Sequence, residues 1–166
     1  MLTSESHSPI ACSVVDAHDC AALIERAIAL KCAARSGGGE RPLRGKHLGL
    51  ICDRPNSLDA DLFRRVASRL GAHVTCLQPG VAGAHDAQQV ASTARLLGRL
   101  YDAVECQGLP AETIDEIRSA AGIPVLDGVA RESKFVAQCA ATIDHKTGDT
   151  DGRFYLLQAA LLEVFD

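Results

Sequence analysis

Aromatic side chains are scarce in this sequence, with four Phe, two Tyr and no Trp among 166 residues. Aliphatic side chains and alanine must therefore build the core. Base-stacking platforms and aromatic cages for cations are hard to assemble from so few rings. A strongly basic block is also missing. The 17 Lys and Arg stand against 21 Asp and Glu, a net charge of −4, which is a poor match to a phosphate backbone and argues against nucleic acid as a partner. No apolar run approaches the roughly 18 residues of a membrane span. No Lys or Arg precedes Arg26, so the charged region of a secretory signal is lacking. These absences predict no membrane partner and a cytoplasmic location. Seven cysteines occur, at positions 12, 20, 32, 52, 76, 106 and 139. They make no C-x-x-C pair and have no His at metal-ligand spacing, so they are expected to be buried, reduced thiols that hold no metal. Gly80 and Gly83 complete neither phosphate-binding glycine motif, so no nucleotide cofactor is expected.

The length fits one domain, large enough to bury roughly 70% of its unfolded surface. Residues 1–14 are polar and Ser-rich and read as a mobile leader, leaving one domain over 15–166. From Asp16, which can cap a helix with Asp19 in its first turn, Leu23, Ile24, Ala27, Ile28 and Lys31 follow at helical spacing to about Arg35. The Gly-rich stretch 36–42 is a connector. Short apolar strands then alternate with amphipathic helices. Strands are predicted at His47–Cys52, Ala72–Leu77, Asp102–Cys106 and Ile123–Leu126, with helices from Ser57 to Leu70, from about Asp86 to Leu100, and from Pro110 to Gly122. This is the signature of βαβ units, hence an α/β fold: a three-layer (αβα), Rossmann-like arrangement on a parallel four-stranded sheet. Phe135–Ile143 reads as a further helix. Phe154–Phe165 is apolar all round, so it is either central to the fold or part of a subunit contact.

Four stretches carry a resemblance. They are Leu43 to Ile51 (Leu-Arg-Gly-Lys-His-Leu-Gly-Leu-Ile), Leu70 to Thr75 (Leu-Gly-Ala-His-Val-Thr), Ser92 to Val104 (Ser-Thr-Ala-Arg-Leu-Leu-Gly-Arg-Leu-Tyr-Asp-Ala-Val), and Ile123 to Gly128 (Ile-Pro-Val-Leu-Asp-Gly). Each alone is common. In this order, and without gaps from about Leu43 to Val129, they resemble the amino-terminal half of an ornithine or aspartate carbamoyltransferase. The resemblance implies a carbamoyl-phosphate domain that makes trimer contacts, with the acceptor amino acid bound mainly by a following domain. That second domain is expected to be absent here, and 130–150, which does not fit, is expected to be an insertion.

Carbamoyl transfer expels phosphate, so the site must hold a dianion at a helix N-terminus and add guanidinium forks. The family run Ser-Thr-Arg-Thr-Arg falls here on Asn56, Ser57, Leu58, Asp59 and Ala60. Two positive charges are lost and one negative is gained. One unlike pair at 4 Å is worth roughly 4 kcal/mol at an effective dielectric of about 20, so the change turns attraction into repulsion. Arg54 lies just before the run. Arg64 and Arg65 lie after it, where helical geometry is expected to point them away from the helix N-terminus. The family arginine after the third strand is Gln107, a glutamate that reaches a subunit boundary is Gln88, and the family's His-Pro-x-Gln run falls near Lys134, or near 150–153 if an insertion is allowed. Neither placement supplies a histidine. Phe63, Val66, Thr93, Arg95, Leu97, Asp102 and Gly128 match, and these are mostly positions a scaffold needs.

The residues thus predict a degenerate anion site at Arg54, Asn56, Ser57, Leu58, Asp59, Gln107 and Lys134, with no catalytic residue assigned. Ser57 also suffices as a plain helix cap. His47, His73 and His85 read as surface or satisfied histidines, and Cys52, Cys76 and Cys106 as packed thiols at strand ends. The leading expectation is a catalytically silent, stand-alone binding or assembly module that takes a small anionic or amino-acid ligand and forms a homo-oligomer, a trimer by resemblance. One alternative is a transferase of altered specificity, completed by a partner chain or at a subunit boundary, using Arg54, Arg95, Gln107 and Lys134. Another is a regulatory subunit of a full-length carbamoyltransferase.

Overall fold

The computed structural model describes residues 20–81 and 86–166. The expected leader, the Asp16 cap with Asp19, and Cys12, Gly83 and His85 lie outside the described residues. The chain runs α1 (Cys20–Arg35), β1 (His47–Cys52), α2 (Leu58–Arg69), β2 (His73–Leu77), a single 3-10 turn (Pro79–Val81), α3 (Ala87–Leu100), β3 (Ala103–Gln107), α4 (Ala111–Ala121), β4 (Val125–Asp127), α5 (Lys134–Thr147) and α6 (Gly152–Glu163).

Local signals set most boundaries. Ser57 Oγ accepts from the Ala60 amide at 3.1 Å and begins α2, whose first turn carries Asp59 and Asp61 where the helix dipole favours them. Asp86 caps α3 through the Gln88 amide at 3.0 Å. Gly122 closes α4 in the left-handed conformation, φ 68°.

All four strands are parallel, in the order β2-β1-β3-β4. Leu50 of β1 lies between Cys76 of β2 and Glu105 of β3. Leu48, Leu50 and Cys52 of β1, Ala103 of β3 and Leu126 of β4 pack on α2 and α6. Ile51, Val104, Cys106 and Val125 face the opposite way, against α3 and α4. The predicted three-layer arrangement is thus present. On its first side it is doubled, because α1 and α5 lie behind α6 and share Leu23, Ala27, Cys139, Ile143, Leu156, Ala159 and Ala160.

This layering explains the apolar last helix. Leu157, Leu161 and Leu162 serve the core beneath the sheet, whereas Leu156, Ala159 and Ala160 serve the core with α1 and α5. Its burial is satisfied within the chain. The stretch 130–150, expected as an insertion, carries α5, and Cys139, Ala140 and Ile143 of that helix are buried. Lys31 continues the buried face of α1 at only 1% exposure. Its Nζ meets Asp151, Asp149 at 3.5 Å and Asp144 at 3.9 Å. Burial pulls the Lys31 pKa down, but the Asp151 hydrogen bond and the three carboxylate charges outweigh it and leave the ammonium held above its ordinary value.

The expectation of uniformly buried thiols needs correction. Cys52, Cys106 and Cys139 are buried, Cys20 is half-buried, and Cys32 and Cys76 are exposed. Cys76 is exposed on β2, an edge strand that buries none of its residues. Cys32 lies outside the buried face of α1 that Leu23, Ala27 and Lys31 form.

Candidate functional site

The chain leaves β1 for β2 on one side and later returns to β3 on the other, so strand order reverses between β1 and β3. At such a switch point the loops diverge at the carboxyl ends of the strands and leave a crevice. A cleft of about 360 Å³ lies there, lined by Asp53, Arg54, Ser57, Asp59, Gln107, Gly108, Gly128 and Arg131. Asp53 and Arg54 follow β1, Ser57 and Asp59 begin α2, Gln107 ends β3, and Gly128 follows β4.

Four of the expected site residues meet in the cleft: Arg54, Ser57, Asp59 and Gln107. Three do not line it. Asn56 is exposed, Leu58 is 84% exposed, and Lys134 heads α5 as an exposed residue. Leu58 points outward because the first turn of α2 buries Ala60 and Leu62 instead. Ala60 is fully buried, so the two positions where the family run has arginine face solvent and core respectively. Arg95 and Gln88 are exposed on α3, whose buried residues Val90, Ala94 and Leu97 pack on the opposite layer.

Arg64 departs from the expectation in part. Its Nη1 donates back to the Pro55 carbonyl at 2.7 Å, bracing the loop from outside the cleft. Arg65 pairs with Asp61 at 3.1 Å.

Sequence reasoning missed the arginine that matters most. Arg153, from the first turn of α6, pairs with Asp59 at 2.8 Å and donates to the Ala130 carbonyl at 2.6 Å, with Glu132 at 3.8 Å. The carboxylate at the N-terminus of α2 is therefore neutralised by a cation 94 positions away. The one available signal was an arginine at the head of a mostly apolar helix. The cations that line the cleft itself are also matched: Arg131 lies 3.3 Å from Asp127 and Arg54 3.7 Å from Asp53. Each arginine of the cleft thus has a carboxylate of its own.

Beneath the cleft, Glu105 is fully buried on β3 and accepts from Gln107 Nε2 at 3.2 Å. Burial pushes its pKa up to about 8, against the opposing pull of Gln107 and the Val129 and Ala130 amides, while the charge of Asp127 adds to the rise. This environment favours the protonated, uncharged form of Glu105 near neutral pH. Gln107 is 8% exposed, and its Oε1 has no partner among the described residues. Burial pushes the Cys106 thiol up to about 12 and also raises Cys52, so neither is an activated nucleophile. His47 and His73 stack at 5.4 Å at the opposite ends of β1 and β2. No histidine lines the cleft. Among the described residues no three side chains gather as a metal site, and no helix is long and apolar enough to cross a membrane.

The chain is 34% identical over 103 residues to an ornithine carbamoyltransferase from Actinobacillus pleuropneumoniae, a match that takes in 62% of this chain and 31% of that protein. The solved ornithine carbamoyltransferase from Pyrococcus furiosus superposes with a TM-score of 0.64 at 22% identity, covering 79% of this chain and 42% of that one. The proteins this chain is similar to, in sequence and in fold, are ornithine and aspartate carbamoyltransferases. The catalytic subunit of the M. jannaschii aspartate transcarbamoylase shares the fold at TM-score 0.60 and 13% identity, over 87% of this chain and 54% of that one. No protein-family model matches. The chain spans about a third of the length of the curated relatives it matches. The stretch 56–60, on which the resemblance lays the Ser-Thr-Arg-Thr-Arg run, contributes Ser57 and Asp59 to the cleft, and Asp59 stands in the first turn of α2.

Proposed function

We propose that this chain is a catalytically silent relative of the carbamoyl-phosphate domain and serves as a binding or assembly module. One observation carries the reading. The N-terminus of α2, which must receive a phosphate dianion for carbamoyl transfer, holds the protein's own Asp59 carboxylate, latched by Arg153 at 2.8 Å. A second anion there would meet Asp59 and would have to break that pair. The family's arginine positions offer no replacement, since Leu58 faces solvent and Ala60 is buried. No histidine stands in the cleft to polarise a carbonyl.

The test is direct. The full chain, incubated with carbamoyl phosphate and either ornithine or aspartate, is expected to yield no citrulline or carbamoyl-aspartate above the uncatalysed background. Turnover clearly above that background would overturn the proposal.

The assembly role extends the same reading. Among the described residues, Leu58 on α2 and Leu96 and Leu100 on α3 are the large apolar side chains left exposed, at 84%, 54% and 58%, and they are available to a homotrimer of the kind the resemblance implies. Sedimentation velocity would read the mass, and a monomer at every concentration would remove this part.

A second reading, carbamoyl transfer of altered specificity completed by a partner chain, is favoured by Arg54 and Arg131 on the cleft wall. It requires salt-sensitive calorimetric binding of carbamoyl phosphate, which the first reading does not.

A further inference from the structure

Cys20 opens α1 and Cys139 lies in the middle of α5, 119 positions later, yet their Sγ atoms are 2.7 Å apart. Both are free thiols; Cys139 is 3% exposed and Cys20 half-buried. The contact sits at the rim of the core shared by α1, α5 and α6 and shares no residue with the cleft, so the proposed function does not use it. Two thiols held in contact from different elements meet the first geometric requirement of a disulfide. We propose that Cys20 and Cys139 form an oxidation site, at which a peroxide converts the two thiols into a disulfide that fastens α1 to α5.

The two thiols have unequal roles. Burial, and contact with Cys20, push the Cys139 thiol up to about 12, so Cys139 is a poor first nucleophile at neutral pH. Cys20 is the more accessible and is oxidised first. Its sulfur attacks hydrogen peroxide, the O–O bond breaks, and a sulfenic acid forms with release of one water. The Cys139 sulfur then displaces the sulfenic oxygen as a second water and closes the S–S bond. In sum, two S–H bonds and one O–O bond are lost, one S–S bond and two waters form, and peroxide takes up the two electrons. The slow step is loss of the Cys139 proton, so closure speeds up as pH rises. The cross-link acts on α1, which is joined to β1 through the connector 36–42. It also closes most of the chain into a single loop, the arrangement in which a disulfide restrains the unfolded state most.

The experiment uses the full chain, reduced or treated with one equivalent of hydrogen peroxide, alkylated and digested with trypsin. Cleavage leaves Cys139 as the sole cysteine of the peptide 135–146 and puts Cys20, with Cys12, in the peptide 1–26. The expected result is a cross-link between these two peptides that persists in Cys12→Ser and disappears in Cys20→Ala. The oxidised chain should melt at least about 5 °C above the reduced one, and Cys20→Ala, which replaces only a half-buried side chain, should show no such difference. A cross-link that survives Cys20→Ala, or oxidation confined to the exposed Cys32 and Cys76, would overturn the proposal.

Discussion

Glu105 is the residue whose environment departs furthest from its chemistry. Its pKa of about 8 in the folded chain lies well above the roughly 4.3 of an unfolded glutamate. Between those values the folded state holds one proton that the unfolded state has given up, so folding takes up a proton and stability falls as pH rises. The slope approaches about 1.4 kcal/mol per pH unit and flattens above pH 8. The urea midpoint is therefore expected to drop between pH 5 and pH 8. Glu105→Gln keeps a partner for Gln107 and carries no titratable proton, so its midpoint should hold nearly level over the same range. Equal slopes in the two proteins would show that Glu105 is already ionised at pH 7. Nothing in the local sequence announced this burial. Ala103-Val104-Glu105-Cys106-Gln107 reads as alternating in-and-out residues, and only the central place of β3 in a sheet covered on both faces makes all five buried. Lys31 is the opposite case, since its place in the helical repeat marked it as inward-facing before its carboxylate partners were known.

The elements were legible for a physical reason, namely that their punctuation is local. Ser57, Asp86 and Gly122 sit where the caps form, and the period-two and period-3.6 patterns separate strand from helix. What was not legible is which elements share a core. The stretch 130–150 looked foreign because it departs from the resemblance, but α5 packs there on α1 and α6. Two contacts measure how tightly elements are joined. A Cβ added at Gly98 of α3 would lie 1.9 Å from the Ala121 carbonyl of α4, so Gly98→Ala must push the two helices apart and is expected to cost at least about 3 kcal/mol in chemical denaturation. Leu161→Ala removes a fully buried side chain from α6 and should cost about 2–5 kcal/mol. Gln89→Ala, on the exposed side of α3, should stay within about 0.5 kcal/mol. A Gly98→Ala protein as stable as the parent would mean that α3 and α4 are not held at this distance in solution.

At the scale of the whole molecule, the net charge of −4 matters less than where opposite charges meet. The resemblance located the loop after β1 as the place to look, and the lost arginines were visible there as Leu58 and Ala60. Invisible was the response of the rest of the fold, because the Asp59–Arg153 pair joins positions 94 apart and no local pattern encodes it. That pair suggests a reconstruction. In the double variant Leu58→Arg, Asp59→Thr, the exposed position 58 gains a guanidinium, the repelling carboxylate goes, and Arg153 is released beside the capped N-terminus of α2. Ala60, buried in the core, is left alone because a guanidinium there would lose its hydration. Inorganic phosphate at 10 mM is expected to leave the melting temperature of the parent chain unchanged. It should raise that of the double variant by a few degrees, since binding to the folded state alone stabilises it in proportion to RT ln(1 + [L]/Kd). The gain should shrink on adding salt, as it must for an anion held by partly exposed guanidinium groups. If the parent chain already responds to phosphate, Asp59 and Arg153 do not close the site, and the silent reading of the cleft fails with them.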